Sequence, residues 1–241
     1  MSGLKNKVIM RVIDSLQRKI VNSFCKKDIF LDKNFKVLMF HDVDGAGDYS
    51  MKKTDFFNLL EKFIILGFEF IDLAQVVRCK NKKELSKKLL VTFDDGFEST
   101  FSIAYPFLKE KKIPFCLFVT TSFLNQTGYL NDAELLLMAN DPLCIVGSHF
   151  VNHVMSRYIS RDMIIREVKE SFELLLNKFG VKDRVIALPY GSIYSCSKKD
   201  LRIIKKTGVS CIFTTMPSIN NEINIWSLGR IDASKLVSNL P

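Results

Sequence analysis

Two carboxylates side by side, Asp94 and Asp95, end a short apolar run, Leu89-Leu90-Val91-Thr92-Phe93, and are followed by Gly96. Like charges repel, and keeping them together in a folded chain calls for a compensating cation. A metal ion would supply it, with one aspartate as ligand and the other left as a base. The same letters also suit plainer work, with Asp94 capping the next helix and Asp95-Gly96 making a turn. A second pair, His149 and His153, follows another apolar run, at 143–147. On a helix or helical turn, a spacing of four would put both imidazoles on one face, in reach of one ion. With Asp95 they make a two-nitrogen, one-oxygen set with open positions, suited to catalytic zinc or another divalent transition metal. The chain has three histidines, and the third, His41, also ends an apolar run.

The elements that must position these groups read as alternating strands and helices. Strands are expected at 35–40, 68–71, 89–93, 115–119, 143–147, 185–188, 210–214 and 225–231, where apolar runs are short and bounded, as buried parallel strands require. Helices are expected at 54–66, 73–78, 98–111, 132–140, 160–179 and 197–207, with Thr54 and Ser160 as N-caps and Gly67 and Gly180 as stops. The lysine-rich segment 80–88 reads as a solvated connection, and 120–128 as a loop over strand ends. Right-handed βα crossovers in series give a doubly wound sheet or a closed barrel. The polar groups gather at the ends of strands far apart in sequence, and a barrel brings those ends to one mouth. The expected organisation is therefore a single barrel domain over 35–241, preceded by a helical extension over 1–34. In that extension Ile9, Val12, Ile13, Leu16, Ile20 and Phe24 recur at helical steps among basic residues. Such a helix either closes one end of a barrel or lies on an anionic membrane surface.

The chain of 241 residues has 47% hydrophobic and 25% charged residues and a formal charge of +9, which is the composition of a globular protein. Its basic residues are spread out and come with no zinc-finger or RNA-binding signature, so nucleic acid is not expected as a partner. Six cysteines without a CxxC pair read as reduced thiols. No signal-peptide core and no run of eighteen apolar residues is present, which makes the cytoplasm the expected location, with peripheral membrane contact as an addition.

The motifs TFDDG at 92–96, SHxxxH at 148–153 and PYG at 189–191, in this order, resemble those of the polysaccharide deacetylase family (the NodB-homology domain, carbohydrate esterase family 4), over roughly 41–230. The resemblance implies a distorted (β/α)7-type barrel and a metal-dependent hydrolase removing acyl groups from sugars, N-acetyl from an amino sugar above all. It implies Asp94 as base and Asp95, His149 and His153 as ligands of a divalent ion, zinc first, with cobalt, nickel or manganese as alternatives. It also implies that the backbone N–H of Tyr190 helps to hold the oxyanion, with Pro189 and Gly191 shaping that loop against the substrate. Three departures stand out. Phe150 occupies the place where the family usually has Ser or Thr, Ala187 the place of an arginine, and no histidine follows His153. A subgroup with its acid histidine on the first strand makes His41 the expected general acid, with Asp42 or Asp44 orienting it. Arg230 is grouped with Pro189 and Gly191 at the substrate, and could replace the lost guanidinium beside Asp94. The expected substrate is an N-acylated amino sugar, nucleotide- or lipid-linked. The rival readings are a deformylase at a membrane surface and a non-catalytic carbohydrate-binding relative.

Overall fold

The structure is a computed structural model that describes residues 29–45, 49–79, 81–216 and 223–239. The expected amphipathic helix at 5–27 lies outside the described residues. The chain divides into two units, Met1–Lys33 and Asn34–Pro241, and every strand and helix named below belongs to the second. Among the described residues no helix is long and apolar enough to cross a membrane.

The strands are β1 (Lys36–Phe40), β2 (Glu69–Phe70), β3 (Lys88–Phe93), β4 (Phe115–Val119), β5 (Cys144–Ser148), β6 (Val185–Ala187), β7 (Cys211–Thr214), β8 (Leu228–Gly229) and β9 (Ile231–Asp232). The helices are α1 (Lys53–Ile65), α2 (Leu73–Arg78), α3 (Tyr105–Glu110), α4 (Asp132–Ala139), α5 (Arg161–Phe179) and α6 (Lys198–Lys205). The strands pair in parallel in the order β8-β7-β6-β5-β4-β3-β1-β9, with β2 alongside β3. β8 and β9 lie at opposite ends of that order, yet only Arg230 separates them in sequence. The two edges of the sheet therefore meet, and the second unit is a nearly closed, distorted (β/α)7-type barrel.

Strand alternation sorts the side chains between two layers. Val37, Leu90, Cys116, Phe118, Val185, Ala187, Cys211, Phe213 and Leu228 share one buried cluster inside the barrel. Their neighbours Ile186, Leu188 and Ile212 point the other way and pack with Ile164, Val168 and Phe172 of α5 and Ile204 of α6. Phe56, Phe93, Phe118, Phe150 and Phe213 are each fully buried, and burying a side chain of this kind contributes roughly 1.5–3 kcal/mol.

Several expectations are corrected. Residues 225–231 form two two-residue strands on opposite edges rather than one strand, because the chain crosses the seam at Arg230. Residues 98–111 contain a π turn at Thr100–Ala104 before α3. Pro106, in the first turn of α3, has no N–H to give to the carbonyl four residues back, and the helix widens just ahead of it. The segment 80–88 buries Leu85 and supplies the first residue of β3. Thr54 does not cap α1; Asp44 does so from the β1 loop, its Oδ1 accepting the Lys53 N–H at 3.0 Å. Cys79, Cys116, Cys144, Cys196 and Cys211 are free thiols.

Candidate active site

The same alternation brings the chemical groups to the mouth. Two-residue steps from the interior residues Leu90, Val37 and Leu228 lead to Asp94, His41 and Arg230. From Ile145, packed on the interior cluster, the steps pass through Gly147 to His149. A Cβ at Gly147 would lie 2.6 Å from the Val185 carbonyl oxygen and 2.8 Å from the Phe118 ring, so bare backbone lets β4 and β6 close in beneath His149. Phe40 and Phe93 are partners across β1 and β3, which sets His41 beside Asp94 one residue further on.

Asp94 does not cap a helix. Its Oδ1 and Oδ2 accept hydrogen bonds from the two terminal nitrogens of Arg230 at 2.6 and 2.7 Å. The same guanidinium donates to Thr92 Oγ1 and the Thr214 carbonyl and lies over the Phe118 and Phe213 rings. Burial pushes the Asp94 carboxyl up, but the attraction of Arg230, helped by His149 and by the two hydrogen bonds, outweighs it and holds the group at about 2. The side chain of Arg230 is 0% exposed, so it has no surface to offer a sugar. Its contacts are with Asp94 and the barrel interior rather than with the surface at which a sugar would lie.

Asp95 and Gly96 do form a turn, with φ of 72° and 84°, and the turn aims the Asp95 side chain at the histidines. Its Oδ1 lies 3.5 Å from His149 Nε2 and 3.2 Å from His153 Nε2. One donor atom from each of the three side chains falls within 4.8 Å of the others. Bonds of about 2.1 Å at tetrahedral angles would put neighbouring donor atoms about 3.4 Å apart, close to these separations. Asp95 Oδ1 is buried without a hydrogen-bond partner, which is costly for a carboxylate. Burial pushes its carboxyl up to about 6, and the neighbouring charge of Asp94 adds to the effect. Burial also pushes His149 down to about 3 and His153 to about 4, so both imidazoles are neutral at pH 7 and offer lone pairs rather than charge. His149 Nδ1 is 2.9 Å from the Ala187 carbonyl; an N–H there leaves Nε2 as the free donor atom. The group fits a divalent ion.

The two imidazoles do not meet through helical periodicity. Residues 149–153 form an irregular loop in which Phe150 and His153 take left-handed backbone, at φ of 65° and 51°. Non-glycine residues there cost of order 1–3 kcal/mol each and persist only where the surroundings impose them. Tyr190, at φ 62°, is half-buried with its ring centroid 4.7 Å from that of His153. Pro189 and Gly191, on either side of Tyr190, are buried. His41 is half-buried against the Tyr49 ring, at 5.2 Å between centroids. Neither carboxylate expected to orient it does so: Asp42 Oδ1 accepts from Ser99 Oγ at 2.7 Å, and Asp44 caps α1. Sequence reasoning also passes over Glu167, whose carboxylate binds the backbone of the histidine loop. The available signal is a charged residue on the apolar face Ile164, Val168, Phe172.

Residues 81–212 match a protein family described as polysaccharide deacetylase. The poly-β-1,6-N-acetyl-D-glucosamine N-deacetylase of Staphylococcus aureus is 26% identical over 203 residues, covering 78% of this chain and 68% of that one. IcaB from Ammonifex degensii has a similar structure, with TM-score 0.73, 23% identity and coverage of 86% of this chain and 96% of that one. The deacetylase PplD of Streptococcus pyogenes, solved with acetate, gives TM-score 0.72 and 22% identity, with coverage of 86% and 98%.

Proposed function

The chain belongs to the polysaccharide deacetylase family, and from that premise we propose that it is a metal-dependent hydrolase that removes the N-acetyl group from an amino-sugar unit of a polysaccharide. One juxtaposition carries this reading. A carboxylate kept ionised by a buried arginine stands beside a three-donor group whose own carboxylate oxygen has no hydrogen-bond partner.

Asp95, His149 and His153 would hold the ion, which when bound supplies Lewis acidity towards water and the acyl oxygen. Asp94 accepts the proton of the attacking water. Its Oδ2 is 3.9 Å from His149 Nε2, beside the ligand group, and Arg230 fixes both its oxygens, so the base enters each turnover charged and oriented. The backbone N–H of Tyr190 donates to the oxygen that becomes anionic as water adds to the acyl carbon. His41, at the same mouth, gives a proton to the nitrogen as the C–N bond breaks, leaving a free amine and acetate. The name of the Staphylococcus aureus relative favours an N-acetylglucosamine unit within a polymer over a nucleotide- or lipid-linked sugar.

The test is release of free amine and acetate from N-acetylglucosamine oligomers by protein stripped with chelator and resupplied with zinc, cobalt, nickel or manganese. The wild type is expected to release both with at least one of these ions. Asp94→Asn should be slower by about 10²–10⁴-fold, the usual contribution of a general base. Oligomer binding without amine release under any of the four ions would establish the non-catalytic carbohydrate-binding reading instead.

A further inference from the structure

The loop 149–153 carries both imidazoles without regular secondary structure, and the residue after the first of them, Phe150, is buried and apolar. Its polar backbone groups are nonetheless taken up from two sides. The carbonyls of Phe150 and Val151 accept from the amides of Thr121 and Ser122 at 3.1 and 3.0 Å. The amides of Val151 and Asn152 both donate to one atom, Glu167 Oε2, at 2.8 and 2.9 Å, and the Asn152 side chain donates to Oε1 at 2.7 Å.

Glu167 is 2% exposed and sits on the face of α5 that packs on the barrel. Phe150 is seated in one cluster with Ile164, Val168 and Phe172 of that face. Ser171, one turn further along, lies 2.6 Å from Ser148 Oγ, which accepts the Phe150 N–H at 3.1 Å. A buried carboxylate is costly unless its oxygens are bonded, and three N–H donors at these distances compensate it. An apolar side chain would serve the packing of α5 at least as well. All three of the hydrogen bonds that Glu167 accepts come from the histidine loop.

We propose that Glu167 is a positioning residue: by fixing the amides of Val151 and Asn152, midway between His149 and His153, it sets where His153 stands relative to His149. His149 is independently held, its amide bonded to the Val119 carbonyl and its ring to Ala187. A rotation at Val151 or Asn152 therefore displaces His153 alone. The proposal rests on the reading of Asp95, His149 and His153 as a metal centre, and its test separates the two.

The test compares wild type, Glu167→Gln, Glu167→Ala and Val168→Ala, the last removing core packing beside Phe150 while leaving the hydrogen bonds of the loop in place. Three quantities are read: the zinc Kd by competition, the visible spectrum of the cobalt-loaded protein, and hydrogen exchange of the Val151 and Asn152 amides in the metal-free protein. Loss of Glu167 is expected to weaken zinc about ten- to hundredfold, as loss of a group supporting a ligand does. It should also change the cobalt spectrum and speed exchange at both amides. Glu167→Gln should be milder than Glu167→Ala, since it keeps one acceptor oxygen, and it serves alone if the alanine variant does not fold. Val168→Ala should lower the melting temperature and leave Kd and spectrum as in wild type. Glu167→Gln behaving like Val168→Ala in Kd and spectrum, or amides as protected as in wild type, would overturn the proposal. Wild-type protein that takes up no divalent ion would defeat the metal reading by itself, and the exchange rates would still decide whether Glu167 holds the loop.

Discussion

Both carboxylates of the Asp94–Asp95 pair are buried, and burial alone would push both up. Arg230 reverses this for Asp94, holding it at about 2, while Asp95, which has no guanidinium bonded to it, rises to about 6. The protein's own charges thus separate the two carboxylates in the sense that the proposed roles of base and ligand require. The adjacent aspartates could be read from the sequence as a pair set apart from ordinary turn residues. The partner of Asp94 could be read only as a suggestion, because Arg230 points inward from between two strands that are each two residues long. The consequence is a prediction about pH. Replacing Arg230 with Met leaves the burial and removes the opposing attraction, so the pKa of Asp94 rises. The base is active as the carboxylate, so the acid limb of the kcat/KM profile should move to higher pH in Arg230→Met than in wild type. An unmoved acid limb in folded variant protein would separate Arg230 from the base.

The residues of the proposed site follow the ends of strands, and the turns and loops there carry much of the strain. Among the described residues, Asp44, Asp95, Phe150, His153 and Tyr190 all have positive φ, and none is glycine. Propensity cannot announce such conformations, which is why a spacing of four between His149 and His153 suggests a helical turn where the chain forms a braced loop. Helix ends were more legible, because their causes are local: Ser160 caps α5 through the Met163 N–H, and Gly180 ends it at φ 68°. The loop after β6 shows how tightly these segments are tied together. A Cβ on Gly191 would lie 2.6 Å from the Thr215 nitrogen, whose N–H donates to the Gly191 carbonyl at 2.9 Å. Gly191→Ala should therefore destabilise the metal-free protein by more than the ~1–2 kcal/mol of left-handed strain alone, because the backbone of the β7 loop must also move. Denaturant unfolding measures this, and an unchanged midpoint would mean that the two loops do not depend on the close approach.

On the scale of the whole molecule, the barrel was readable from the regular exchange of short apolar runs and helical patterns, and from polar groups collecting where strands end. The way it closes was not. The run at 225–231 has the length and composition of one strand, and only the sheet order reveals that the chain crosses from one edge to the other at Arg230. That crossing places the arginine inside the barrel, under the mouth at which β1, β3 and β5 deliver His41, the two aspartates and His149. On the proposed function, this convergence makes a site for one divalent cation beside a carboxylate that does not bind it. Calorimetric titration of metal-free protein with zinc counts the ions such a site takes up. One ion per chain is expected for wild type and for Asp94→Asn, and none for His149→Ala; uptake by His149→Ala equal to that of wild type would contradict the account.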